Sequence, residues 1–245
     1  SDLGLTPDSF SGYKKQRFRW AYGAIQILKG HWRAMLPYAK SGLSFRQKFH
    51  FVAGWAPWFA DAINLIFTVA SVFWAAGVCI APQYFQLPLA LFLVPTLGLF
   101  VFKVLHSYIL YVQRVPCSFS QRVGASIAGL SLTYTIGWAV LYGIFTSKLP
   151  FMRTPKMENK PALIAGLTMA WEEAILFAAL WAAAIAVWVL FGGIDPEARL
   201  WSMLMMVQSL PYGAALYVSM VNALATLQIG RHQPVAQAAM LAAGD

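Results

Sequence analysis

Three residues near the start of the chain have the side chains that bind a sugar beside a phosphate. Gln16, Arg19 and Trp20 are separated by intervals of three residues and one, so on a helix they share one face. A tryptophan ring stacks on the C–H face of a sugar, a guanidinium pairs with phosphate oxygens and an amide donates or accepts hydrogen bonds. This face is therefore a candidate binding site for a phosphorylated sugar. The alternative is a lipid anchor, in which the cations meet lipid phosphates and Trp20 lies at headgroup level.

The surrounding sequence predicts an amphipathic helix from about residue 13 to residue 29. Asp8 or Ser9 is suitable as its N-terminal cap, and Gly30 as its stop signal. Helical spacing groups an apolar face that we expect to lie in the membrane interface: Phe18, Ala21, Ile25, Leu28 and Trp32.

Composition indicates an integral membrane protein. Of the 245 residues, 59% are hydrophobic and only 11% are charged, values outside the usual range of soluble domains. Nine of the 18 Lys and Arg residues precede position 50. That end of the chain is therefore expected to face anionic headgroups, anionic substrates or both.

Apolar runs predict an all-α membrane protein with about four transmembrane helices. Spanning a bilayer takes roughly 20 apolar residues, and four runs qualify: 58–80, 85–110, 173–193 and 200–226. We divide the chain into a cytosolic or interfacial amphipathic segment, 1–50, and a transmembrane domain, 51–245.

A fifth apolar run, 122–146, is predicted to lie along the membrane interface or to re-enter the membrane. If it crossed, the basic loop at 147–165 would lie outside, against the tendency of Lys and Arg to remain cytoplasmic. With four spans, the N-terminal segment and the basic loop are both cytoplasmic.

Two motifs carry a resemblance to a known family. Gln16-Arg17-Phe18-Arg19-Trp20 resembles the Gln-x-x-Arg-Trp motif of membrane-integrated processive glycosyltransferases of family 2, the group containing the bacterial cellulose synthase catalytic subunit. After the predicted interfacial helix, the segment 151–156 resembles that family's Phe-x-Val-Thr-x-Lys gating loop, with Arg153 where valine is usual.

The resemblance implies the membrane and acceptor-binding half of an inverting hexosyltransferase that polymerises a nucleotide sugar and exports the polysaccharide. UDP-glucose is the donor expected from the family alone. Trp20 would stack on the acceptor sugar, while Gln16 and Arg19 would contact donor pyrophosphate or acceptor. The gating-loop residues would close over the nucleotide: Phe151, Arg153, Thr154 and Lys156. Expected partners are the UDP-sugar, the growing glycan, membrane lipids and export subunits, in a bacterial inner membrane.

The family's catalytic groups have no counterpart in this sequence. Its Asp-x-Asp metal ligands and its Thr-Glu-Asp base lie upstream of Gln-x-x-Arg-Trp, so we expect the chain to be a piece of a longer protein. These residues alone are expected to transfer no sugar and to bind no cofactor, and Mg or Mn is expected in the catalytic domain. The histidines show no metal-ligand spacing.

Polar residues inside the predicted spans are candidates for lining a channel, because ionisable groups in the membrane usually face a cavity or a partner. They are Asp61, Asn64, Lys103 and His106. The alternatives are that Asp61 is solvated at the cytoplasmic end and that Lys103 snorkels to the interface.

Two other functional classes fit the same sequence. One is a membrane transporter or channel subunit whose basic interfacial helix binds anionic lipid. The other is a non-catalytic export scaffold. Nucleic acid is not an expected partner, since four spans make lipid or nucleotide sugar the better explanation for the basic residues.

Overall fold

A computed structural model describes residues 9–36, 38–147 and 162–242, and all the regular secondary structure in these ranges is helical. The prediction of an all-α membrane protein is confirmed. The helices are α1 (Phe10–Met35), α2 (Phe45–Ile80), α3 (Leu89–Arg114), α4 (Phe119–Leu130), α5 (Thr133–Phe145), α6 (Ala162–Met169), α7 (Trp171–Phe191) and α8 (Pro196–Ala242).

Four helices in the described part of the chain are long and apolar enough to cross a membrane: α2, α3, α7 and the Pro196–Ala225 part of α8. Each contains most of one predicted span. α2 begins much earlier than predicted, because Ser44 and Gln47 form a reciprocal capping box at its N-terminus. The predicted domain boundary between residues 50 and 51 therefore falls inside a helix.

The fifth apolar run forms two helices and not the single interfacial helix predicted for 122–146. α4 and α5 meet at Ser131 and Leu132 with a bend of 40°. The Ser131 hydroxyl donates to the Ala128 carbonyl at 2.8 Å, and such local bonds compete with the regular helix. By length and hydropathy the bent pair counts as one broken span or as a re-entrant segment.

α1 extends beyond its predicted stop. Ser9 caps its N-terminus by accepting from the Gly12 amide at 3.1 Å, but the helix continues through Gly30 to Met35. A glycine inside a helix costs only about 1 kcal/mol relative to alanine, which is too little to end the helix by itself. α6 also differs from the prediction, because its first residues lie within the segment 147–165 that was predicted to be a basic loop.

The apolar face of α1 packs against protein. Ala21 and Ile25 are fully or almost fully buried and share a core with Ile136 and Val140 of α5. The expectation that this face lies in the membrane interface is wrong for these two residues, although Trp32 further along is half exposed. A second core joins α2, α3, α7 and α8, so the bundle of spans carries α1 on α5.

Candidate functional site

The structure places the predicted sugar-binding residues on the outer face of α1. Arg19 and Trp20 are exposed, and Gln16 is partly buried. The residues that follow, Ala21 and Tyr22, are buried on the opposite side. Trp20 keeps 49% of its surface accessible, which is enough to present a ring face to a ligand. We call Gln16, Arg19 and Trp20 the motif face.

Arg17, which fills a variable position of the motif, stacks on Trp20. Its guanidinium carbon lies 4.7 Å from the Trp20 ring centroid and 5.1 Å from the Tyr13 ring centroid. Its Nη2 donates to the Tyr13 hydroxyl at 3.1 Å. A cation held over the ring fixes the indole plane. Sequence reasoning missed this contact, although residues three apart on a helix are neighbours.

Side chains of α1 bind the C-terminal end of α5. Gln26 donates to the carbonyls of Gly143 at 2.9 Å and of Thr146 at 3.0 Å. The Lys29 ammonium donates to the Ile144 carbonyl at 3.0 Å and to the Thr146 carbonyl at 2.9 Å. The last carbonyls of a helix lack partners within it and carry partial negative charge. α1 therefore supplies both hydrogen-bond donors and a positive charge to this helix end.

The N-terminal half of α1 is fixed by an ion pair that the sequence did not predict. The Lys14 ammonium lies 2.8 Å from Glu173 Oε1 and 3.6 Å from Glu172 Oε2, and it donates to the Met169 carbonyl at 3.1 Å. Glu173 is fully buried. No local sequence signal pointed to Lys14 as the partner of these two glutamates.

Three of the four channel-lining candidates meet in one place. Lys103 donates to Asp61 and, at 2.6 Å, to the Thr133 hydroxyl. These residues and Asn64 border a small cavity between α2, α3 and α5. Asp61 is only 2% exposed, so the alternative of a solvated Asp61 is wrong, and the Lys103 contacts exclude snorkelling. His106 is exposed and packs on Phe102, with ring centroids 5.7 Å apart.

The predicted gating-loop residues lie outside the described residues: Phe151, Arg153, Thr154 and Lys156. Within the described ranges, no group of three His, Cys, Asp or Glu side chains is arranged to hold a metal ion.

Comparison with protein-family models, with curated proteins and with solved structures finds no match for this chain.

Proposed function

We propose that this chain is the membrane and acceptor-binding half of a family 2 glycosyltransferase, which polymerises a nucleotide sugar and moves the product across the membrane. The observation that carries the proposal is the motif face. Gln16, Arg19 and Trp20 share the outer side of a helix whose inner side is fixed to the bundle. An amide, a guanidinium and an accessible indole there suit a sugar bound beside a phosphate.

The contacts of Trp20 support a stacking role. Arg17 lies over the ring at 4.7 Å, and this contact favours one orientation of the indole before a ligand arrives. A ring held in place loses less conformational entropy on binding than a mobile one. A lipid anchor needs no such fixed plane, because headgroups are themselves mobile.

The polar cluster of Asp61, Lys103 and Thr133 supports a hydrophilic path through the bundle. Ionisable groups within a membrane are costly and usually line functional sites. In the proposed enzyme this cluster, which lies between α2, α3 and α5, offers hydrogen bonds to a sugar chain. UDP-glucose is the proposed donor, and the basic loop at 147–165 is the proposed nucleotide gate.

The test is sugar transfer by the full-length protein in bacterial membranes supplied with radiolabelled UDP-glucose and other UDP-sugars. Trp20→Ala is expected to reduce polymer at least tenfold, the effect of losing about 1.4 kcal/mol of stacking. Trp32→Ala is the matched control, because Trp32 is also half exposed on α1 and also lies beside an arginine, Arg33, at 5.6 Å.

Equal activity in the Trp20 and Trp32 variants would reject the role of the motif face. No transfer from any donor by the wild-type protein would favour the transporter or scaffold alternative. Under the lipid-anchor alternative, Trp20→Phe would behave as wild type and the two tryptophans would contribute alike.

A further inference from the structure

A lipid-facing cleft between α2, α5 and α7 is separate from the motif face. Its volume is about 480 Å³, within the range of roughly 300–1,000 Å³ that is usual for small-molecule sites. Its walls are mainly aliphatic and include Leu65, Ile66 and Val69 of α2 and Ile175 of α7. An apolar chain is the ligand that such walls accept.

One end of the cleft is polar and aromatic. Trp171 and Glu172 lie there, at the start of α7. Trp138 of α5 also lines the cleft, and both tryptophans are about half exposed. Trp171 is the first residue of α7, so this end lies where the span leaves the membrane. Tryptophan favours that depth, where one side of its ring is apolar and the other is hydrated. The cleft therefore runs from headgroup level into the hydrocarbon region.

The negative charge of the two glutamates at this end of the cleft favours the binding of a cationic ligand group. Lys14 makes its short contact, 2.8 Å, with Glu173 and lies 3.6 Å from the nearer Glu172 oxygen. The second distance is beyond hydrogen-bond range. One ammonium is thus shared by two carboxylates, and the Glu172 carboxylate, whose side chain is 29% exposed, can still accept hydrogen bonds.

We propose that this cleft binds one membrane phospholipid with a primary-ammonium headgroup, such as phosphatidylethanolamine. The ammonium donates to Glu172, the two tryptophans flank the headgroup, and one acyl chain lies along Ile66, Val69 and Ile175. Hydrogen bonding selects the headgroup, because a choline group carries the same positive charge but has no N–H to donate. The site does not depend on the proposed glycosyltransferase activity.

The test is native mass spectrometry of the purified full-length protein in detergent. Palmitoyl-oleoyl phosphatidylethanolamine and the phosphatidylcholine with the same chains are added at equal concentrations. Both lipids are uncharged overall, so the basic charge of the protein cannot produce a preference. The expected preference for phosphatidylethanolamine is about tenfold, the effect of one hydrogen bond to a charged group.

Two variants, each with a matched control, assign the site. Glu172→Gln is expected to make the binding of the two lipids nearly equal. Its control is Glu197→Gln, which is expected to leave the preference unchanged. Glu197 lies at the other end of the bundle, where it accepts from the Leu89 amide. Ile175→Trp fills the cleft and is expected to reduce retention of both lipids. Ile185→Trp is its control on the same helix, since the two isoleucines are 57% and 51% exposed.

Equal binding of the two lipids by the wild-type protein would overturn the proposal. A full preference for phosphatidylethanolamine in Glu172→Gln would overturn it as well. Loss of lipid binding would not affect the sugar-transfer result for Trp20, so the two proposals fail independently.

Discussion

At the scale of single residues, two buried acids are paired with lysines that are distant in sequence. Lys14 meets Glu173, and Lys103 meets Asp61. A buried carboxylate without a partner costs several kcal/mol, so each lysine makes its acid tolerable inside the protein. The same contacts fix the orientation of α1 against α7 and of α3 against α2.

The Lys14 pair gives a stability prediction. Lys14→Met leaves buried Glu173 without its cation and is expected to cost about 3 kcal/mol. For a protein of this size that loss lowers the melting temperature by roughly 6–12 °C, measured by thermal unfolding in detergent. The double variant Lys14→Met, Glu173→Leu is expected to recover much of the loss, because no buried charge remains.

Lys40→Met is the control for the Lys14 variant, since Lys40 is exposed in the loop between α1 and α2. If Lys14→Met melted at the same temperature as this control, the ion pair would have no structural importance. A double variant less stable than the single one would show that a leucine side chain does not fit the space that Glu173 occupies.

At the scale of elements, the position of α5 depends on two close approaches at glycine, of which the one at Gly137 leaves no room for a Cβ. A Cβ at Gly137 would lie 2.6 Å from the backbone oxygen of Asp61 on α2. A Cβ at Gly143 would lie 3.0 Å from Ile25 Cβ on α1. α5 is therefore packed between α1 and α2, and it connects the motif face to the helix bundle.

Gly137→Ala is expected to destabilise the bundle by about 1–3 kcal/mol, because the clash is with backbone and cannot be relieved by a side-chain rotation. Gly98→Ala is the matched control in the middle of α3, where an added Cβ meets nothing within 4 Å and alanine improves helix propensity. Denaturant or thermal unfolding of both variants in detergent measures the difference. Equal stability of the two variants would contradict the close packing of α2 and α5.

The sequence predicted those elements that depend on local patterns. Long apolar runs located α2, α3, α7 and α8, and Ser9 was among the caps predicted for α1. The α1 contacts of Gln26 and Lys29 were missed, because they depend on which helix lies alongside. The break at Ser131 was missed although the bond from Ser131 to the Ala128 carbonyl is local. The motif face was predictable because it, like the spans, depends on a local pattern: its three residues are neighbours on one helix. The partners that hold the helix are more than 100 residues away in sequence.

At the scale of the whole molecule, the bundle carries a basic helix on one end. α1 packs on α5 and is bonded to the start of α7 and, through Phe10 and Asn222, to α8. Four apolar helices make the protein membrane-integral. In the proposed enzyme, sugar is added at the motif face and the product moves past the Asp61–Lys103 pair.

The most direct measurement is synthesis and export of polymer in inverted inner-membrane vesicles that contain the full-length protein. Radiolabelled UDP-sugars are added outside, on the side that corresponds to the cytoplasm. The predicted result is labelled polymer inside the vesicles, resistant to added glycanase until detergent opens the membrane. Vesicles that make no polymer from any UDP-sugar, or polymer that is digested without detergent, would contradict synthesis coupled to export.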